Sequence, residues 1–278
     1  MPSLRQVLKT ILPEALHPEI SGAYEAIGDI ALVTLPDALL SYRAEIGQTL
    51  LAIDARLRVV ARRLPIGGEF RLGKLEIIAG EPPLVTIHKE NGLRFLVEVE
   101  KVYFSARLAA ERLRLAQLCQ EGERVLVIGS GIAPLPLTLA AHGPAAMIVA
   151  VEKNADAHAL AVENCRLNRG HGQNRGHRVT PLHADFRALT LADLGLFDRV
   201  VIAMPETALT ALPHCLQFIK PGGFLHLYVF QDENHPLPTR DAAKLLAATG
   251  RQAVSLTAIR CGHCGRARFR YCLEYRLG

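Results

Sequence analysis

The sequence predicts an α/β protein, a mostly parallel seven-stranded sheet wrapped by helices and preceded by a small α+β unit. Three observations carry this expectation. Apolar residues change period near residue 105, from short alternating runs to a helical spacing of about 3.6. Beyond that point strand-like and helix-like segments alternate to the end, as in parallel strands joined by helices. The last two strand-like segments follow each other with only a short loop, so an antiparallel pair should close one edge.

In the first part, Tyr24 to Leu35 mixes β-formers around Gly28-Asp29 and stops at Pro36. Leu39 to Arg63 reads as one helix, with Arg56, Arg58, Arg62 and Arg63 at the end where basic groups complement the helix dipole. Three strands should follow, at Phe70 to Ile78, Leu84 to His88 and Arg94 to Val99. Turns fall at Gly80-Glu81-Pro82 and Asn91-Gly92, the second a strong hairpin signal. Residues 1–105 are therefore expected to form one small domain and 106–278 a second.

Arg107 to Gln120 has the spacing of an amphipathic helix. Strands are then expected at 124–129, 147–152, 178–183, 197–202, 223–230, 252–259 and 268–275. Helices belong near 134–142, 155–168, 206–219 and 238–249. This is a Rossmann-like order, and seven strands ending in a hairpin are typical of class I methyltransferases.

Composition narrows the function classes. Half of the 278 residues are hydrophobic and 21% are charged, which excludes a disordered chain. With no Trp, 6 Tyr and 9 Phe, aliphatic side chains must fill the core. The net charge is +5, and 25 of the 32 basic residues are Arg. That suits an RNA partner, and equally a genome that favours Arg codons. Six scattered cysteines form no disulfide framework and point to a reducing compartment. The N-terminal stretch has a proline and charges where a signal peptide needs an apolar core. The uncharged run from Val125 to Val151 could span a bilayer by length, but its glycines and prolines break it into strand, turn, helix and strand. A soluble, cytoplasmic protein is expected.

The chemistry-bearing motif follows the strand at Arg124. Gly129-Ser-Gly131-Ile-Ala133-Pro is a glycine turn leading into a helix, where backbone approaches a ligand and the helix start offers N–H groups. Glu152 ends the next strand, where an acid takes the two hydroxyls of an adenosine ribose. S-adenosylmethionine and dinucleotides both fit. Asp185 follows the third strand, as a ligand for an adenine amino group or as a helix N-cap.

Three blocks then resemble one family. Ile27-Gly28-Asp29-Ile30, His88-Lys-Glu-Asn-Gly92 and Val102-Tyr-Phe-Ser-Ala-Arg107-Leu-Ala-Ala-Glu111-Arg112 are similar to signatures of the archaeal and eukaryotic type of tRNA (guanine-N1)-methyltransferase. That group acts at position 37 of tRNA, and its relatives include wybutosine-pathway transferases. The resemblance implies an S-adenosylmethionine-dependent enzyme whose partner is the tRNA anticodon loop, acting as a monomer without a membrane and without a metal. It implies Glu111 as general base for guanine N1, Arg71 as support for guanine O6, and Tyr103 and Arg107 at the methionine end of the cofactor. The elbow-reading N-terminal domain of archaeal members is expected to be absent. Without the resemblance, Glu111 reads first as a surface helix residue paired with Arg107 or Arg114.

There are departures from the family pattern. Val127 stands where the first motif has an acid, Ala133 replaces its third glycine, and Ala203-Met204-Pro205 replaces a block that begins with asparagine. They keep rivals open: a wybutosine-type aminocarboxypropyltransferase, which Arg107 argues against, and a non-catalytic RNA-binding relative. A dinucleotide oxidoreductase is disfavoured by the glycine spacing. Cys261-Gly-His-Cys264 spells a redox motif, but it sits in a short loop between the last strands and not at a helix start, so a tight turn set by its glycines is favoured over redox or metal chemistry. The loop Asn168 to Arg178 and the alternating Arg266, Arg268 and Arg270 are candidate phosphate contacts.

Overall fold

The chain divides into two compact units, Met1–Ala106 and Arg107–Gly278. The computed structural model describes residues 2–67, 72–169, 178–264 and 267–278.

In the first unit, helix α1 (Leu4–Ile11) starts on a capping box made by Ser3 and Gln6. Its Leu4 and Leu8 join Ile46 and Leu50 in the core of the unit. Strands β1 (Tyr24–Ile27) and β2 (Ile30–Val33) form a hairpin around Gly28, whose φ is +57°. A 3₁₀ turn at Asp37–Tyr42 leads into α2 (Arg43–Ile53). That helix is the crossover to β3 (Val59–Gly67), which runs parallel to β2. Strand β4 (Leu72–Gly80) returns antiparallel, giving the order β1-β2-β3-β4. Helix α2 lies close on β4 because Gly47 carries no side chain; a Cβ there would be 2.8 Å from that of Ala79. A separate hairpin, β5 (Val85–Glu90) and β6 (Leu93–Glu98), turns at Asn91-Gly92 with φ of +50° and +74°. Those two positive angles are what a type I′ turn requires.

The single helix expected over Leu39 to Arg63 does not form. It ends at Ile53, where Asp54 accepts the Arg56 backbone N–H and its guanidinium. The β-branched pair Val59-Val60 is fully buried and continues as strand. The four arginines therefore cap no helix. Arg56 pairs with Asp54, Arg58 with Asp29, Arg62 with Glu76 and Arg63 with Glu25. The first two residues of the strand expected from Phe70, Arg71 among them, lie outside the described residues.

In the second unit a 3₁₀ turn at Ala106–Leu108 opens helix α3 (Ala109–Leu118). Strand and helix then alternate: β7 (Arg124–Ile128), α4 (Pro134–His142), β8 (Met147–Glu152), α5 (Ala155–Leu167), β9 (Val179–His183), the one-turn α6 (Leu191–Leu194), β10 (Phe197–Ile202), α7 (Ala208–Cys215), β11 (Ile219–Asp232), α8 (Thr239–Ala248), β12 (Ala253–His263) and β13 (Arg268–Leu277). The sheet order is β12-β13-β11-β10-β7-β8-β9. Strands β7 to β11 are mutually parallel, whereas β13 is antiparallel to both β11 and β12 and lies between them. This is the seven-stranded mixed sheet with a terminal hairpin that the sequence predicts.

The two sheet faces differ in chemistry. Leu225, Leu227 and Val229 of β11 and Leu273, Tyr275 and Leu277 of β13 enter one large apolar core. Alternation then turns His226 and Tyr228, and Cys272 and Glu274, to the opposite face. The uncharged run from Val125 to Val151 is β7, turn, α4 and β8, and no described helix is long and apolar enough to cross a membrane.

Candidate active site

Strand β7 ends in a turn that only glycine adopts freely: Gly129 has φ +71° and Gly131 φ +57°. The Gly129 and Ser130 N–H groups donate to the Val151 carbonyl at 2.9 and 3.1 Å, which ties the turn to β8. Glu152, at the end of β8, accepts the Gly131 N–H on one oxygen (2.7 Å) and the Asn154 N–H on the other (2.8 Å). Each oxygen keeps a further lone-pair position for a hydroxyl donor. The Ala203 N–H donates to the Ile128 carbonyl at 2.9 Å. A Cβ on Gly129 would come 2.2 Å from Met204 Cγ. The turn thus lies where the chain reverses between β7 and β10, the crevice in which open α/β sheets hold ligands.

Helix α4 differs from expectation. Its first and third residues are Pro134 and Pro136, so of the first three positions only Leu135 keeps an N–H. A pyrophosphate needs several such donors. The turn suits an adenosine that carries no phosphate, and the dinucleotide alternative loses its main contact. Ala133, in the third-glycine position, has φ +64°, a left-handed conformation that costs an L-residue about 1–2 kcal/mol. Val127 is fully buried in β7, so apolar packing takes the place of the expected acid.

Asp185 caps the 3₁₀ turn Phe186–Ala188 by accepting the Arg187 N–H at 3.1 Å. The Arg187 guanidinium holds its carboxyl well below the usual carboxylate range, helped by Lys153 at 3.1 Å. It neighbours Glu152 across β8 and β9, since the Ala184 N–H donates to the Glu152 carbonyl at 3.0 Å. An ionised Asp185 is an acceptor, as an adenine amino group requires.

The signature blocks of the first unit meet one another. The Gly28 N–H donates to His88 Nδ1 at 3.1 Å, and the Asp29 N–H to Thr86 Oγ1 at 3.3 Å. Buried Glu25 accepts Ser105 Oγ at 2.7 Å, the Ala106 N–H at 3.0 Å and the Arg63 guanidinium at 2.6 Å. It thereby anchors the segment that carries Tyr103, which is 42% exposed.

Glu111 is no surface residue. It lies on α3 at 7% exposure, as the centre of a polar cluster that sequence reasoning missed. Arg114 grips it in two places, Nε to Oε2 at 2.7 Å and Nη2 to Oε1 at 2.8 Å. Tyr228 donates its hydroxyl to Oε1 at 2.7 Å. Arg114 Nη2 also reaches Glu274 at 2.7 Å, and Glu274 lies 3.3 Å from His226 Nδ1. His226 Nε2 meets the Arg199 guanidinium, and Arg199 is bidentate to Glu123 at 2.9 Å in both bonds. These partners fix His226 as the neutral tautomer with its proton on Nδ1. His226, Cys272 and Glu274 place ligand-type atoms within 4.8 Å of one another, but two guanidiniums already occupy their free sides.

Burial pushes His226 below its ordinary 6.5, against the opposing pull of Glu274, and burial with the neighbouring His183 lowers His158 likewise. Burial raises Glu274, but hydrogen bonds from His226 and Arg114 outweigh it and hold it at about 2. The unfolded chain therefore binds more protons than the folded one below pH 6.5, and stability should fall as pH drops through that value. Glu274 adds a further loss from about 4.5 downward. Thermal melts between pH 8 and 4 check this; a midpoint that rises on acidification would contradict it.

Arg270 is buried and so leaves the expected phosphate-facing stripe, while Arg268 is partly exposed, pairs with Glu206 at 3.2 Å and stacks on Phe230. Arg266 and residues 170–177 of the basic loop lie outside the described residues, while Arg178 donates to the Ala145 carbonyl at 3.0 Å. Cys261 belongs to β12 rather than to a loop, and burial pushes its thiol up to about 12, away from redox reactivity. All six cysteines are free.

Two family models match the chain, the TRM5/TYW2 methyltransferase domain over residues 86–256 and the TYW2 N-terminal domain over residues 4–83. The tRNA (guanine(37)-N(1))-methyltransferase Trm5b of Pyrococcus abyssi is 33% identical over 235 residues, which is 84% of this chain and 67% of that protein. The tRNA(Phe) (4-demethylwyosine(37)-C(7)) aminocarboxypropyltransferase of Pyrococcus horikoshii is 28% identical over 227 residues, 82% of this chain and 78% of that protein. A solved complex of aTrm5 with tRNALeu matches with a TM-score of 0.83 at 26% identity, covering 100% of this chain and 78% of that one. The chain spans about two thirds of the length of its archaeal Trm5b relatives, 67% and 65% in two of them. With 171 of its 278 residues matched by the methyltransferase domain alone (86 to 256 inclusive), the chain belongs to the TRM5/TYW2 methyltransferase family.

Proposed function

We propose that the protein transfers the methyl group of S-adenosylmethionine to N1 of guanosine 37 in tRNA. The observation that carries the reading is that one unit holds both an adenosine cradle, Gly129–Gly131 with Glu152, and a buried, doubly anchored carboxylate, Glu111. The similarity to Trm5b supplies the target. The substrate is the anticodon loop, bound by a monomer in the cytoplasm. Residues 1–105 contribute RNA and target-base contacts, and 106–278 hold the cofactor.

The bound cofactor supplies an electrophilic methyl group. Glu152 would accept the two ribose hydroxyls and Asp185 the adenine amino group, with Tyr103 and Arg107 lining the methionine end. Guanine N1 carries a proton at neutral pH and is a poor nucleophile until it is lost. Glu111 takes that proton, and Arg71 stabilises the negative charge pushed onto O6. The base must leave its stack, which an anticodon loop allows at low cost.

Two hydrogen bonds to a charged acceptor are worth about 1.5–3 kcal/mol each. Glu152→Ala loses both, about 3–6 kcal/mol in all, and should therefore weaken cofactor binding by about 10²–10⁴-fold; it also frees two backbone N–H groups. Calorimetry with S-adenosylmethionine measures this, and unchanged affinity would remove Glu152 from the site.

A second reading is favoured by the TYW2 N-terminal domain match over residues 4–83: aminocarboxypropyl transfer to a wyosine precursor at the same nucleotide. Cofactor labelled separately in its methyl and aminocarboxypropyl groups separates the two. Methyl label on transcripts with guanosine at position 37, and none on transcripts with adenosine there, supports the first reading. Aminocarboxypropyl label on tRNA carrying 4-demethylwyosine selects the second, and no label on either substrate defeats both.

A further inference from the structure

One guanidinium, that of Arg114, holds two carboxylates at once. It is bidentate to Glu111 and reaches Glu274 through Nη2 at 2.7 Å. Tyr228 adds a third hydrogen bond to Glu111, so Oε1 accepts two and Oε2 one. With about two lone-pair positions on each oxygen, Oε2 is the atom with room for another proton.

A buried carboxylate that is the whole counterion of a guanidinium is poorly placed to act as a base. Neutralising it would strand a cation away from water, and an unpaired buried charge is strongly destabilising. Glu274 changes this balance. It has its own support from His226 Nδ1 at 3.3 Å and remains ionised. When Glu111 becomes neutral, Arg114 still has Glu274 as its counterion.

We propose that Glu274 is a positioning residue for the reaction, sharing Arg114 so that Oε2 of Glu111 can accept the proton from the target base. The proton moves from the base nitrogen to Oε2, the electron pair of the broken N–H bond stays on the base, and Arg114 keeps one ionised partner throughout. The two strands that bear the supporting groups place them opposite each other, His226 facing Glu274 and Tyr228 facing Cys272 in the β11–β13 register. This inference rests on Glu111 as the general base.

The test uses the whole chain with Glu274→Gln, Glu274→Asp, Arg114→Gln, the Arg114→Gln/Glu274→Gln double variant, and Glu111→Gln. Single-turnover methyl transfer, KM for tRNA, cofactor affinity and melting temperature are measured for each. Glu274→Gln should slow transfer by about tenfold or more with KM and cofactor affinity nearly unchanged, since only a step after binding is affected. Glu274→Asp should recover most of the rate. In the Arg114→Gln background the Glu274→Gln change should cost less than about threefold, because the two residues act through one interaction. Should Glu274→Gln fail to fold, the Asp variant and the double variant decide. A normal rate in Glu274→Gln, or fully additive losses in the double variant, overturns the inference while Glu111→Gln remains inactive. Wild-type transfer by Glu111→Gln defeats the underlying reading instead.

Discussion

Glu123→Ala should destabilise the second unit by about 3–5 kcal/mol, the usual cost of removing one partner from a buried ion pair. Arg199 is 2% exposed and its guanidinium lies 4.6 Å over the Phe224 ring. Both Nε and Nη2 bind Glu123, and Nη2 also donates to the Leu118 carbonyl at 2.8 Å. An arginine cannot shed its proton to escape such a site. Without Glu123 the cation keeps only a carbonyl, a ring face and a neutral imidazole. Replacing both partners with apolar residues, Glu123→Leu with Arg199→Met, should recover most of the loss, because neither charge is then left buried alone. Denaturant unfolding measures both variants, and a loss below about 1 kcal/mol for Glu123→Ala would show that water reaches Arg199.

Glu111→Gln should slow methyl transfer by about 10²–10⁴-fold, the range for loss of a positioned general base. Glutamine keeps the shape and an acceptor for Tyr228 but cannot take the proton from guanine N1. Cofactor affinity should stay within about twofold, since the side chain removes a step of chemistry rather than a binding contact. Stability should fall little, because Arg114 retains Glu274 as a counterion. Single-turnover assays with saturating tRNA read the chemical step directly. A rate within threefold of wild type would remove Glu111 from catalysis.

Much of the second unit was legible because each strand and helix carries its own period. The glycine turn and Glu152 were legible because their chemistry is local: glycines at a strand end, then an acid at the end of the next. Two things were not. The stretch from Leu39 to Arg63 has helical spacing, yet tertiary pairing of Val59 and Val60 between β2 and β4 overrides it. The Glu111 cluster is closed by a hydrogen bond between residues 160 positions apart, and each member looks ordinary in its own segment. One signal was available. His226 and Tyr228, and Cys272 and Glu274, put polar groups at alternate positions of strands that are otherwise apolar. In a sheet covered on both faces such alternation marks a buried network rather than a wet surface. The same logic explains Arg270, whose alternation with apolar neighbours looked like an RNA-facing stripe and is in fact internal.

The position of β13 has a consequence for how the enzyme matures. β12 is made before β13, yet it pairs with β13 alone, so it has no sheet partner until β13 has inserted beside β11. Up to that moment β11 has an open edge, on which β12 is free to pair in the wrong place. Glu274 and Cys272 arrive with the same insertion. A molecule arrested one step short would keep the glycine turn after β7 and Glu152 of β8 while lacking the partner that shares Arg114. Such a species would turn over more slowly than the finished fold, and the rise of activity during refolding would time the last event of assembly.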